Sequence, residues 1–212
     1  MDFSLNDDQR ALQDTVRRFA QTELPEIAKA VERNDEPVSR EIVHRYAELG
    51  LLGVNLPTAY GGGGMSHLDA VLVLEEVAKV SIAVAFPIFE SSFGPTLALA
   101  HFGPEDLKQR VLPKVCSGDM MIAVSMSEPN AGSALTDLTT TAKVDGDDVV
   151  LNGQKRWSSG GSHADAYVVY CRMSDAPGAK GIGAVLVEDC ADGFTFGKRE
   201  QHMGFRGVAS AD

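Results

Sequence analysis

Near Gly118 the hydrophobic rhythm of this chain changes period, and that change dictates a fold of two unlike parts. Before it, apolar residues recur at helical spacing. Leu12, Val16, Phe19 and Ala20 stand at i, i+4, i+7 and i+8 behind a Ser4-to-Asp7 capping signature, and Ile42, Val43, Tyr46 and Leu49 follow Ser39 as N-cap and end at Gly50. After it, β-branched runs alternate with turn dipeptides. Thr139 to Val144, Val149 to Leu151, Tyr167 to Cys171, Gly183 to Val187 and Phe194 to Phe196 read as strands, punctuated by Asp145-Gly146, Asn152-Gly153, Pro177-Gly178 and Asp192-Gly193. The expectation is an α+β chain, with an all-α helical domain over 1–119 and a β domain over 120–212.

Within the helical part, Pro25 marks a break or restart, and the run Gly61 to Gly64 must be a loop because consecutive glycines weaken any element interior. Ser66 to Asp69 repeats a capping signature ahead of a stripe of Val71, Leu74 and Ala78. Ile82 to Phe102 is more uniformly apolar and contains Pro87 and Pro95, which predicts a buried helix with breaks. Gly103-Pro104-Glu105-Asp106 opens another helix whose apolar positions are Leu107, Val111 and Leu112.

Composition narrows the function classes. With 44% hydrophobic and 23% charged residues, the 212-residue chain has the make-up of a soluble globular protein. A net charge of −11 with 19 scattered Lys and Arg gives no basic footprint for a nucleic acid, yet leaves room for a pyrophosphate held by backbone N–H groups. Cys116, Cys171 and Cys190 form no C-x-x-C, as expected of reduced thiols. No basic flank and apolar core of a signal peptide follows Met1 and Asp2, and no apolar run is expected to reach the roughly 18 residues of a membrane span. The expected setting is cytoplasmic. His44, His67, His101, His163 and His202 lack metal-ligand spacing, and no Gly-Lys-Ser/Thr follows Gly64 to make a Walker loop.

Two blocks carry a more specific signal. Ser127-Glu128-Pro129-Asn130-Ala131-Gly132-Ser133 opens the β region, and Asn152-Gly153 is followed by Lys155-Arg156-Trp157-Ser158-Ser159-Gly160-Gly161. In this order the two blocks resemble the acyl-CoA dehydrogenase family. Leu49-Gly50-Leu51-Leu52-Gly53, Tyr60-Gly61-Gly62, Leu112-Pro113-Lys114 with Ser117-Gly118, and Met203-Gly204-Phe205-Arg206-Gly207 match further landmarks, so the resemblance spans nearly the whole chain. Ala134 stands where the family commonly has Asp, and Ser158 replaces an apolar residue beside Trp157.

The resemblance implies a helical domain followed by a β-barrel-like middle domain, incomplete at its C-terminal end, with a second helical domain absent. It implies FAD as cofactor and α,β-dehydrogenation of an acyl-CoA thioester. A carboxylate removes the α proton while hydride passes from Cβ to flavin N5, and the protein supplies orientation, a base and polarisation. Val124 to Ser133 then lies along the flavin, with Met126 and Ser127 as partners for its pyrimidine side. Trp157 packs on the ring system where it would otherwise be an ordinary core aromatic, and Ser159 reaches N5. Ser133 touches the pantetheine arm, with Gly132 allowing close backbone approach. The stretch around Phe93, Pro95, Leu97 and Leu99 forms one wall of the acyl pocket, with core packing as the competing role of each residue.

The family's base is usually a Glu from the later helical domain, so none of Glu75, Glu76, Glu90 and Glu128 inherits that role. Glu90, between Phe89 and Ser91, is the least ordinary of them. Implied partners are an acyl-CoA substrate and a flavin-type electron acceptor, with no nucleic acid and no membrane, in a full-length homotetramer. A flavin oxidase or monooxygenase of the same architecture, or an inactive truncated chain, are the alternatives.

Overall fold

Residues 4–212 are described by a computed structural model of the chain; Met1 and Asp2, on which the absence of a leader was partly read, lie outside the described residues. Two compact units form, one holding residues up to Met121 together with His202–Val208, the other Ile122–Gln201 and Ala209–Asp212.

In the first unit the helical rhythm becomes α1 (Asp7–Glu23), α2 (Pro25–Asn34), α3 (Arg40–Glu48), α4 (His67–Ala78), α5 (Ile82–Ser92), α6 (Gly94–Phe102) and α7 (Glu105–Ser117). The cap of α1 is not the expected Ser4-to-Asp7 pair. Asn6 and Gln9 close a reciprocal capping box, Gln9 N–H to Asn6 Oδ1 at 2.8 Å and Asn6 N–H to Gln9 Oε1 at 3.2 Å, and Asp7 becomes a first-turn acid facing the helix dipole. Pro25 sits at the start of α2, where its missing N–H is harmless. Ser66 and Asp69 cap α4 reciprocally.

The face that α4 buries differs from the expected stripe. Ala70, Leu72, Val73, Glu76 and Val77 are inside, whereas Val71 is 46% exposed. Apolar residues surround most of this helix, so periodicity singles out no face. Glu76 is buried because Arg17 (3.0 Å) and Lys79 (2.7 Å) pair with its carboxylate.

Ile82–Phe102 corrects another expectation: by length and a mean hydropathy of 1.4 it suffices to cross a membrane. In this structure 61% of it is buried within the helical unit, and it is interrupted at Phe93, after which Pro95 restarts α6. Its first half, α5, packs against α2, α4 and α6. Val43, Leu56, Ile88 and Leu112 pack at or below 2% exposure, and the fully buried Tyr46 donates its hydroxyl to the Val84 carbonyl at 2.9 Å. Each such aliphatic side chain contributes about 1.5–3 kcal/mol of burial.

The glycine loop returns along residues 53–56: Gly63 N–H bonds Gly53 O (3.1 Å), Gly64 N–H bonds Leu56 O (2.8 Å) and Met65 N–H bonds Val54 O (3.1 Å). A Cβ on Gly62 would stand 2.4 Å from Leu56 O, so backbone approach requires glycine there. His202–Val208 belongs to this unit through Gly207 N–H on Asp35 Oδ1 (2.9 Å), Arg206 Nε on Glu32 O (2.9 Å) and the Phe205 ring edge-on to Phe86 (5.6 Å).

The second unit contains β1 (Ile122–Ser125), β2 (Thr141–Asp145), β3 (Asp148–Asn152), β4 (Ser158–Ser159), β5 (Ala166–Arg172), β6 (Ile182–Glu188) and β7 (Ser210–Ala211). Strand β5 is central: β1 runs parallel to it from Ile122↔Ala166 to Ser125↔Val169, and β6 antiparallel along its whole length. β2 joins at Thr141↔Arg172 and forms a hairpin with β3, while β4 and β7 pair separately. The barrel-like expectation is therefore corrected to a mixed sheet without closure, since among the described residues β3 pairs only with β2 and β6 only with β5. Phe194 to Phe196 is not a strand. The Phe194 and Phe196 rings pack on Tyr167 at 5.3 and 5.6 Å, so their hydrophobicity reflects aromatic packing, beside a cavity of about 980 Å³ also lined by Ser125, Ser158 and Val185.

Candidate functional site

Strand β1 carries Val124 and delivers Met126 and Ser127 at its end, all three half-buried. The chain then turns back through a reciprocal bridge, Glu128 N–H to Ala131 O (2.8 Å) and Ala131 N–H to Glu128 O (3.1 Å), and leaves Gly132 and Ser133 exposed. Ala134 follows at the N-cap of a short 3₁₀ turn, Leu135–Asp137, with no side-chain cap. An Asp at that position would supply the missing acceptor, which is what the substitution removes.

The second block meets the first through two bonds. Arg156 N–H donates to Ser127 O at 2.8 Å, and the buried hydroxyls of Ser125 and Ser158 share a hydrogen bond of 2.8 Å. Ser158, a departure from the family wording, thus has a partner that makes a polar group affordable in the interior. Ser158 and Ser159 pair with Ala211 and Ser210, and the Trp157 N–H donates to Asp212 Oδ1 at 3.3 Å.

Trp157 is not a core aromatic. It is 57% exposed, its φ is +56°, and the Arg156 guanidinium lies 4.9 Å above its ring. A non-glycine residue held in the left-handed region costs about 1–3 kcal/mol, a strain that the surrounding hydrogen bonds must hold in place. The structure therefore gathers Val124, Met126, Ser127, Trp157 and Ser159 along one edge of the unit, with Gly132 and Ser133 on an exposed turn beyond it.

This edge fits a flavin in its chemistry. A flat, largely apolar ring system with a polar rim matches in kind an exposed indole on a segment that also carries Ser159 and is bonded to the Ser127 backbone at the end of β1. Among the described residues no cluster of His, Cys, Asp or Glu could hold a metal ion.

The carboxylates sort by environment. Burial pushes the pKa of Glu128 up, but the Lys155 hydrogen bond and the Thr139 and Thr140 donors outweigh it and hold the group at about 2. It stays ionised and structurally committed. Glu90 is the opposite: fully buried in the helical unit with Oε2 unpartnered, its pKa is driven well above the usual carboxylate range by desolvation. Glu75 pairs with Lys79 at 3.3 Å.

A helical unit and a mixed-sheet unit, the latter with an exposed tryptophan in the segment bonded to the end of β1, define a two-domain α+β chain. Residues 6–119 match the acyl-CoA dehydrogenase N-terminal domain and residues 123–212 the acyl-CoA dehydrogenase middle domain. The chain belongs to the acyl-CoA dehydrogenase family. Mitochondrial isovaleryl-CoA dehydrogenase of Pongo abelii is 36% identical over 206 residues, covering 96% of this chain and 49% of that protein. Acryloyl-CoA reductase (NADH) of Anaerotignum propionicum is 34% identical over 214 residues, covering 100% and 54%. A crystal structure of a glutaryl-CoA dehydrogenase from Mycobacterium smegmatis in complex with FADH2 superposes with a TM-score of 0.89 at 26% identity, covering 98% and 52%. The chain spans about half the length of the curated relatives it matches.

Residue pattern alone left three contributors unassigned: Ser125, Lys155, and Glu128 as an anchor. Lys155 and Glu128 stand inside the two ordered blocks, which is the signal that could have paired them, whereas Ser125 lies outside both.

Proposed function

We propose that this protein works as a flavin-dependent acyl-CoA dehydrogenase that oxidises the bond between the α and β carbons of an acyl-CoA thioester. The observation that carries the reading is the exposed, left-handed Trp157 beside Ser159 and the Ser127 backbone. FAD, when bound, would supply the hydride acceptor for this oxidation.

The chain's own residues then have separable tasks. Trp157 would offer a ring face against which a flat cofactor is oriented, and Ser159 would supply a hydroxyl to its reactive side. Ser127 and the Met126 backbone satisfy the polar rim, where each unpaired buried group would cost about 1–3 kcal/mol. Gly132 and Ser133, on their exposed turn, stand where a pantetheine arm is approached without obstruction, since nothing lies within 4 Å of a Cβ built on Gly132.

None of the four glutamates considered in this chain is assigned the α-proton abstraction. Glu128 is committed to Lys155 and the Thr139–Thr140 backbone, and Glu75 and Glu76 to Lys79 and Arg17. A flavin-type electron acceptor and a homotetramer complete the proposal for the whole protein. With Cys116, Cys171 and Cys190 all free, a reducing, cytoplasmic setting is the one proposed.

The test is anaerobic addition of acyl-CoA esters to the FAD-loaded holoenzyme. Bleaching of the flavin's visible absorbance with formation of the enoyl-CoA is the expected result. Reaction only with free reduced flavin and oxygen would instead make the protein an oxygen-using flavoenzyme.

A further inference from the structure

Glu128 lies inside the first flavin-side block yet reaches no solvent: its side chain is 4% exposed, and that of Lys155, from the second block, 10%. Glu128 Oε1 accepts from Lys155 Nζ at 2.8 Å and from the Thr140 N–H at 2.9 Å. Oε2 accepts from the Thr139 N–H at 2.6 Å and from its hydroxyl at 2.8 Å. Lys155 Nζ makes a further bond, at 3.0 Å, to the Met126 carbonyl. With Arg156 N–H on Ser127 O, three consecutive residues, Met126 and the first two of the first block, are each held by Lys155 or Arg156. Thr139 and Thr140 lead directly into β2, so the carboxylate ties both blocks to the sheet.

We propose that Glu128 and Lys155 are positioning residues, a buried ion pair that fixes the register between Met126-Ser127 and Trp157-Ser159 and so shapes the flavin-binding edge without touching the flavin. The inference rests on the flavin site proposed above. A buried pair is weak as a source of net stability, because desolvation offsets much of the attraction, and specifying register is its best-attested use. The geometry suits that use, since one ammonium spans a backbone carbonyl and a carboxylate two residues apart, and slippage by one residue would strand both charges.

The test uses Glu128→Gln/Lys155→Met, which removes both charges at similar volume and so avoids leaving one of them buried alone. In the flavin-free protein, amide hydrogen exchange at Arg156, Thr139 and Thr140 is expected to accelerate about tenfold or more, the loss matching a charge-assisted hydrogen bond, while the β5 and β6 amides keep their protection. Emission from Trp157, the single tryptophan of the chain, should shift in the same variant, and FAD should bind about tenfold more weakly than to the parent protein. Lys155→Arg, which keeps the charge and the donors, should restore most of the protection at Arg156.

A folded double variant with unchanged protection at Arg156, unchanged Trp157 emission and unchanged FAD affinity overturns the proposal. If the double variant does not fold, Thr139→Val, which removes one bond to Oε2 and leaves both charges, must still accelerate exchange at Arg156; unchanged exchange there overturns it equally. Accelerated exchange in a protein whose parent form never responds to FAD supports the register role and overturns the flavin reading instead.

Discussion

Replacing Glu90 by Gln should flatten the pH dependence of stability, and the structure fixes both sign and steepness. The Glu90 carboxyl is fully buried, its Oε2 has no hydrogen-bond partner, and desolvation raises its pKa well above the ordinary 4.5. Above that ordinary value the unfolded chain releases this proton while the folded chain keeps it. Folding therefore loses stability with rising pH, from just above 4.5 until the folded pKa is passed, with a limiting slope of about 1.4 kcal/mol per pH unit. Gln carries no such proton. Its own buried amide adds a penalty that does not vary with pH, so the diagnostic quantity is the slope and not the absolute stability.

Urea unfolding of both proteins between about pH 5 and pH 8 gives the difference curve directly, in which every other titrating group cancels. The expected difference grows in favour of Glu90→Gln as pH rises, most steeply between the ordinary 4.5 and the raised folded value. Parallel curves would show that Glu90 titrates normally and would refute the burial argument.

Three further outcomes follow from the same reasoning. At the acid limb, Glu128 acts in the opposite sense: its depressed pKa contributes stability present above the ordinary 4.5 and lost as pH falls toward about 2. That amounts to about 3 kcal/mol, removed by Glu128→Gln and measurable as a shallower acid unfolding profile. Tyr46→Phe strips the donor from the buried Val84 carbonyl and should cost about 1–3 kcal/mol in thermal or urea melts, with little change in secondary structure. Gly62→Ala drives a Cβ against the Leu56 backbone and should destabilise by about 1–3 kcal/mol, whereas Gly132→Ala, with open space around it, should leave the melting temperature unchanged.

What could be read in the residues was chiefly local chemistry. Pro25 restarting a helix, Ser66 with Asp69 as a capping box, the Asp145-Gly146 hairpin and the Gly61 to Gly64 loop each follow from interactions within a few residues. The misreadings are equally physical. Asn6 outcompeted Ser4 as the cap because Gln9 could answer it, and α4 hid its buried face because Val71, Leu72, Val73 and Leu74 leave no polar side to mark it.

Long-range pairing was invisible for a different reason. The parallel match of Ile122 with Ala166, and the hydroxyl bond from Ser158 to Ser125, 33 residues earlier, depend on chain closure that no local pattern encodes. The candidate site was legible only as two ordered blocks. That Trp157 is exposed and left-handed, and that Lys155 grips Glu128, required the folded backbone.

The central claim is that the edge formed by β1 and the Trp157–Ser159 segment receives a flavin. Titrating isotope-labelled protein with FAD while following backbone amide resonances tests it most directly. Saturable shifts concentrated at Val124, Met126, Ser127, Gly132, Trp157 and Ser159 are the predicted result. Shifts confined to other surfaces, or none at saturating FAD, would contradict it.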